Sequence, residues 1–225
     1  MSGSRMNIKN RKKLGRGKAT FDGSYKTGIN IREARSSGVS SIVFNPKTHK
    51  SLHLLSEGEC RWFAHLWYDE TVKDIIEQVF LDDEIVKLIC KKNSAVIRRD
   101  LSTDLLVLRQ DGSKDAYSVK CNKKDFTDEE KERIGIEQVY WEEQDVRFHL
   151  VYKEDISKEE YNNIFDVFPF WNPERVDVNN DFSVMRHLIA RRIVEIDITQ
   201  KLNYKELIKN HKQEIELWRK YFTEN

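Results

Sequence analysis

Residues 104–121 can fold in few ways. Asp104-Leu-Leu-Val-Leu-Arg109 is a run of large aliphatics, Gln110-Asp111-Gly112-Ser113 is turn chemistry, and Ala116 to Cys121 returns with side chains in alternation. That pattern predicts a β-hairpin. The segments around it extend the pattern. Ser56-Glu57-Gly58-Glu59 has capping-box spacing and opens a helix to about Tyr68 carrying Trp62, Phe63, Leu66 and Trp67. Val72 to Leu81 reads as a strand, and Ile85, Val86, Leu88 and Ile89 form one helical face after Asp82-Asp83. Thr127 with Glu130 starts another helix through Ile134, Glu137, Tyr140 and Trp141. Val146, Phe148, Leu150 and Tyr152 then alternate with Arg147, His149 and Val151, which predicts a strand with one buried face. The order helix, strand, helix, strand, strand, helix, strand makes the fold class α/β, a mixed sheet flanked by helices.

The flanks differ in character. Residues 1–18 hold Arg5, Lys9, Arg11, Lys12, Lys13, Arg16 and Lys18 and no acid, in a chain whose net charge is only +1. Two readings stand: a basic tail that aids solubility, or an arm that lies along phosphates. Gly15 to Pro46 reads as irregular, with β-like stretches at 28–31 and 41–44. After Ser157 the character changes: Pro169 and Pro173 bracket Phe170 and Trp171, the chain is helical from about Phe182, and Asn203 caps a final helix of about five turns. The expected division is a basic arm over 1–18, a core domain over 19–167 and a small helical domain over 168–225.

With 39% hydrophobic residues the 225-residue chain can fill a core, yet its longest apolar runs are too short to span a membrane. No secretory h-region opens it, and Cys60, Cys90 and Cys121 are odd in number without a CxxC pattern. The expectation is a reduced, cytoplasmic protein without a zinc site, in which any metal is held by oxygen ligands.

Four residues point to chemistry. Glu59 precedes Trp62, Phe63 and Leu66 on one helical stripe, and Glu137 stands the same way before Tyr140 and Trp141. Asp104 opens the first hairpin strand, while Lys120, which shares a face with Ser118, ends the second. Pairing Arg109 near Ala116 sets Asp104 opposite residue 120 or 121. Each position also has a plainer reading: a capping-box glutamate, a partly buried helix glutamate, a cross-strand salt bridge. Together, inward carboxylates beside a lysine suit phosphodiester hydrolysis with magnesium, because the reaction must neutralise phosphoryl charge and generate hydroxide near pH 7.

Asp104 with Ser118-Val119-Lys120 resembles the D...(D/E)-x-K arrangement of restriction-type endonucleases. The ordered series Leu14-Gly15-Arg16-Gly17, Ser36-Ser37-Gly38, Leu52 to Glu59, Ser102-Thr103-Asp104 and Glu137 before Tyr140-Trp141 resembles the TnsA family. These are endonuclease subunits of heteromeric TnsABC-type cut-and-paste transposases. The resemblance implies a restriction-endonuclease-like core with a C-terminal helical domain, alternatively winged-helix-like. It implies catalytic Glu59, Asp104 and Lys120, and a metal site of Glu59, Asp104, the Val119 backbone carbonyl and Glu137, using Mg2+ with Mn2+ able to substitute.

The implied activity is cleavage of the 5′ strands at transposon ends in the bacterial cytoplasm. The implied partners are double-stranded DNA at those ends, a TnsB-type transposase and a TnsC-type AAA+ ATPase, with no membrane. Arg11, Lys12, Lys13, Arg16 and Lys18 are the expected DNA contacts. Two departures bear on this: Ser118 stands where the family usually has Gln, and the C-terminal part is short. A non-catalytic binding module on the nuclease fold, or a stand-alone restriction or repair nuclease, are the alternatives.

Overall fold

A computed structural model of the chain describes residues 19–22, 24, 25, 27, 40–97, 100–123 and 126–224. The basic arm, with its five expected DNA contacts, and the β-like stretch at 28–31 lie outside the described residues. Two compact units are present. The first comprises residues 1–44 and 51–155, the second residues 45–50 and 156–225.

A two-stranded sheet pairs β1 (Ser41–Asn45) with β2 (Lys50–Leu54). The first unit is built on a four-stranded sheet in the order β3, β4, β5, β6: β3 (Val72–Phe80), β4 (Ser102–Arg109), β5 (Lys114–Lys120) and β6 (Arg147–Tyr152). The first two pairings are antiparallel and the last is parallel. Three helices flank it: α1 (Glu57–Tyr68), α2 (Asp83–Lys92) and α3 (Asp128–Glu142). Each begins on a side-chain cap, at Ser56, Asp82 and Thr127 respectively, and Thr127 forms a full capping box with Glu130.

Helices on both faces account for the unbroken aliphatic run in β4: Leu105, Leu106 and Val107 are all at most 1% exposed. Ile76, Val79, Leu106 and Ala116 pack with Ile89 of α2 and with Ile136, Tyr140 and Trp141 of α3. The α1 residues Phe63 and Trp67 are buried, and this helix packs on β3, β4 and β5. At the end of the hairpin nearest its turn, Arg109 ties down the carboxylates of Asp69 and Asp115 together with the hydroxyls of Thr71 and Tyr117.

Three local expectations are corrected. The hairpin register is displaced: Gly112 takes φ 86, the Arg109 N–H donates to Ser113 O, and β5 begins at Lys114. The ladder runs from Leu108↔Lys114 to Leu105↔Tyr117, and its continuation sets Asp104 opposite Ser118 rather than residue 120 or 121. Next, β6 has no single buried face; within it only Val151 is buried, the other set than the one expected. It is an edge strand, covered in part from both sides, with Trp62 Nε1 donating to Tyr152 O and the Tyr117 ring stacked on His149. Finally, the terminal helix is two helices, because the chain breaks at His211 between α6 (Tyr204–Asn210) and α7 (Lys212–Glu224).

In the second unit α4 (Lys158–Val167) and α5 (Asp181–Ala190) precede these two, and residues 156–224 contribute helices and turns without a strand. Its core holds Ile164, Val167, Val184, Met185, Leu188 and Ile189, all at 0% exposure. The Asp166 carboxylate joins three elements by accepting from Arg186 Nε and Tyr204 Oη. No helix among the described residues is long and apolar enough to cross a membrane.

Candidate active site

The site forms where the start of β4, the end of β5 and the first turn of α1 meet. Gly58 permits the approach: a Cβ there would lie 3.1 Å from Val119 Cγ1 and 3.3 Å from Lys153 Cβ. The helix that carries Glu59 can therefore seat against the strand that carries Val119 and Lys120.

Glu59 is 5% exposed and does more than cap its helix. Oε2 accepts from Leu55 N at 2.8 Å and from Gln78 Nε2 at 3.0 Å, while Oε1 accepts from Ser56 Oγ. Burial, reinforced by the charge of Asp104, raises its pKa from 4.5 to about 7 despite those donors. Asp104 is half-buried; Val119 N–H donates to its Oδ2 at 2.7 Å, and the Gln78 side chain also hydrogen-bonds it. Desolvation raises the Asp104 pKa, opposed first by the nearby Lys120 ammonium.

Glu137, 6% exposed, takes the third corner. Its Oε1 accepts from Thr103 Oγ1 at 2.7 Å, which itself accepts from Trp141 Nε1, and the Ser118 hydroxyl is a second partner. Burial and then the Asp104 charge lift its pKa to about 7, with Lys120 acting the other way. Asp104 is thus the shared neighbour of both glutamates, and Lys120 bears electrostatically on Asp104 and Glu137.

This brings together Glu59, Asp104, Lys120, Val119 and Glu137. Sequence reasoning missed two members. Gln78 links Glu59 to Asp104, and the polar pair Glu77-Gln78 between the apolar pairs Ile75-Ile76 and Val79-Phe80 was the available signal. Thr103 relays between Trp141 and Glu137, and a lone threonine in a β-strand carries no such signal. His49 and His53 are four apart, but they sit on a turn and a strand, so the helical geometry of a zinc pair does not arise.

Asp104, whose charge raises the pKa of both Glu59 and Glu137, forms with them a set of oxygen donors that suits a hard divalent cation. Among the described residues no three acidic, histidine or cysteine side chains already stand so as to hold one ion together.

A mixed sheet presenting such carboxylates and a lysine beside one hairpin defines a core of the restriction-endonuclease-like kind. Residues 69–153 match the TnsA-like endonuclease N-terminal family, so the chain carries a TnsA-like endonuclease N-terminal domain. The match includes Asp104, Val119, Lys120 and Glu137; Glu59 lies just before it. The Escherichia coli transposon Tn7 transposition protein TnsA is 28% identical over 169 residues, which is 72% of this chain and 62% of that protein. The chain therefore spans less than two thirds of the length of this relative.

Proposed function

We propose that the protein is a divalent-metal-dependent DNA endonuclease that cleaves the 5′ strands at transposon ends within a heteromeric transposase. The observation that carries this reading is the buried Glu59 beside Asp104, whose charge raises the proton affinity of Glu59, with the Lys120 ammonium close to Asp104. Similarity to a Tn7 transposition protein supports the transposition setting. The partners follow from that setting: double-stranded DNA at the transposon ends, a TnsB-type transposase and a TnsC-type AAA+ ATPase.

Glu59 and Asp104 would hold Mg2+ or Mn2+, with the Val119 carbonyl and Glu137 as further oxygens. When bound, the cation supplies Lewis-acid polarisation of the phosphoryl group and lowers the pKa of a bound water. The chain's own groups do the rest. The Lys120 ammonium orients the attacking water and offsets charge developing on the phosphate. Val119 N–H fixes the Asp104 carboxylate through Oδ2. Arg11, Lys12, Lys13, Arg16 and Lys18 supply contacts to the DNA backbone.

The test is strand-specific cleavage of transposon-end DNA with TnsB-type and TnsC-type partners present. Asp104→Asn and Lys120→Ala should each abolish 5′ cleavage while the melting temperature stays near that of the wild type. Full cleavage by either variant refutes the assignment. Cleavage of plain duplex by the purified chain alone would point instead to a stand-alone nuclease. A second reading, a binding module that keeps the fold without catalysis, is favoured by Ser118, a weak cation ligand whose hydroxyl is engaged by Glu137. It predicts no Mn2+ binding and unimpaired assembly of Asp104→Asn.

A further inference from the structure

Gln78 is 2% exposed and lies inside β3, two residues from its end, yet its φ is 51, in the left-handed region that side-chain-bearing strand residues avoid. The flanking pairs Glu77↔Leu105 and Val79↔Thr103 set it across from Asp104, and at that point the β3–β4 ladder skips a pair. Its local carbonyls are not left without partners. Tyr25 Oη donates to Glu77 O at 2.8 Å and to Gln78 O at 2.9 Å, so a residue distant in sequence props the distorted backbone.

The distortion aims the carboxamide between two acids on different elements. Nε2 donates to Glu59 Oε2 on α1, and the same side chain hydrogen-bonds Asp104 on β4. A primary amide is suited to this: one nitrogen carries two hydrogens and no charge, so it can satisfy two carboxylates at once without neutralising either. A lysine there would occupy the place of a cation, and an apolar residue would let the two acids turn apart.

We propose that Gln78 is a positioning residue of the cation site: by bridging Glu59 and Asp104 it fixes their spacing and orientation so that both face one divalent ion. The proposal rests on the metal-nuclease reading above. A bridged pair costs little to reorganise when the ion arrives, and groups that orient metal ligands in this way typically govern affinity by about 10- to 100-fold.

The experiment is Mn2+ titration calorimetry on the full chain, with thermal unfolding as the check on folding. Gln78→Gly removes the carboxamide but accepts φ 51 without strain, so the backbone is retained. Tyr25→Phe removes the hydroxyl that props the distortion and touches neither carboxylate. The wild type should bind Mn2+, Gln78→Gly should bind about 10- to 100-fold more weakly, and Tyr25→Phe should weaken binding in the wild type but not in the Gln78→Gly background. A purely structural glutamine would shift the melting temperature and leave the affinity of folded Gln78→Gly at the wild-type value, which overturns the proposal. So does a Tyr25→Phe effect of equal size in both backgrounds. No Mn2+ binding by the wild type defeats the metal-nuclease reading itself, and the proposal with it.

Discussion

With divalent metal removed, raising the pH from 5 to 8 should destabilise the first unit through its buried carboxyls. Glu59 and Glu137 have pKa values lifted from 4.5 to about 7. Between those values the folded chain holds protons that the unfolded chain has released, so stability falls as pH rises and levels off above about 7. At roughly 1.4 kcal/mol per pKa unit, each glutamate contributes a loss of about 3 kcal/mol across that window. Asp104 shifts in the same sense. Urea unfolding with a chelator present, followed by circular dichroism at pH 5 and pH 8, measures the effect. Glu137→Gln is the reference, because it keeps the shape and the acceptor for Thr103 Oγ1 while removing the titration. The wild type should lose about 3 kcal/mol more than Glu137→Gln between the two pH values. Adding Mn2+ at pH 8 should restore stability by about 2.7 kcal/mol when free metal is a hundred times its dissociation constant. Equal losses in the two proteins would refute the reasoning, since they would mean that burial does not hold a proton on Glu137.

Thr103→Val should destabilise the chain by about 1–3 kcal/mol, because the hydroxyl that accepts from Trp141 Nε1 and donates to Glu137 Oε1 is lost from a fully buried position; thermal unfolding reads this, and an unchanged melting temperature would count against the relay. Gly58→Ala places a methyl against Val119 and Lys153, and overpacking of about 1–3 kcal/mol should appear in denaturant titration together with weaker Mn2+ binding, as α1 is pushed from β5. Deletion of residues 1–18 should weaken binding to duplex DNA and flatten its salt dependence, since seven cations leave with the segment; fluorescence anisotropy at several salt concentrations checks this, and an unchanged slope would place the phosphate contacts elsewhere.

The hairpin, the three flanking helices and the succession of elements along the chain were legible because each rests on a local signal: turn residues, cap residues or side-chain period. Its register was not, because register depends on how tightly Gly112 turns the chain, and one sequence accommodates several turn geometries. The β6 alternation misled for a related reason: period two reports which residues share a face, whereas burial at a sheet edge depends on what Trp62 and α3 bring to either side. The break at His211 also escaped, since no proline or glycine marks it.

The same distinction runs through the site. Glu59, Asp104, Lys120 and Glu137 could be picked out as charges on apolar faces, but their meeting is tertiary and depends on Gly58 letting α1 close on β5. Gln78 is the sharper case, since its role comes from a backbone angle that strand propensity argues against and that Tyr25, fifty-two residues from Glu77, props in place. A local rule broken inside a buried strand, at the point where two acids converge, is where function is expected to override foldability. The distortion and the carboxylate pair are therefore one feature, and a change that relaxes the first should be felt in the second.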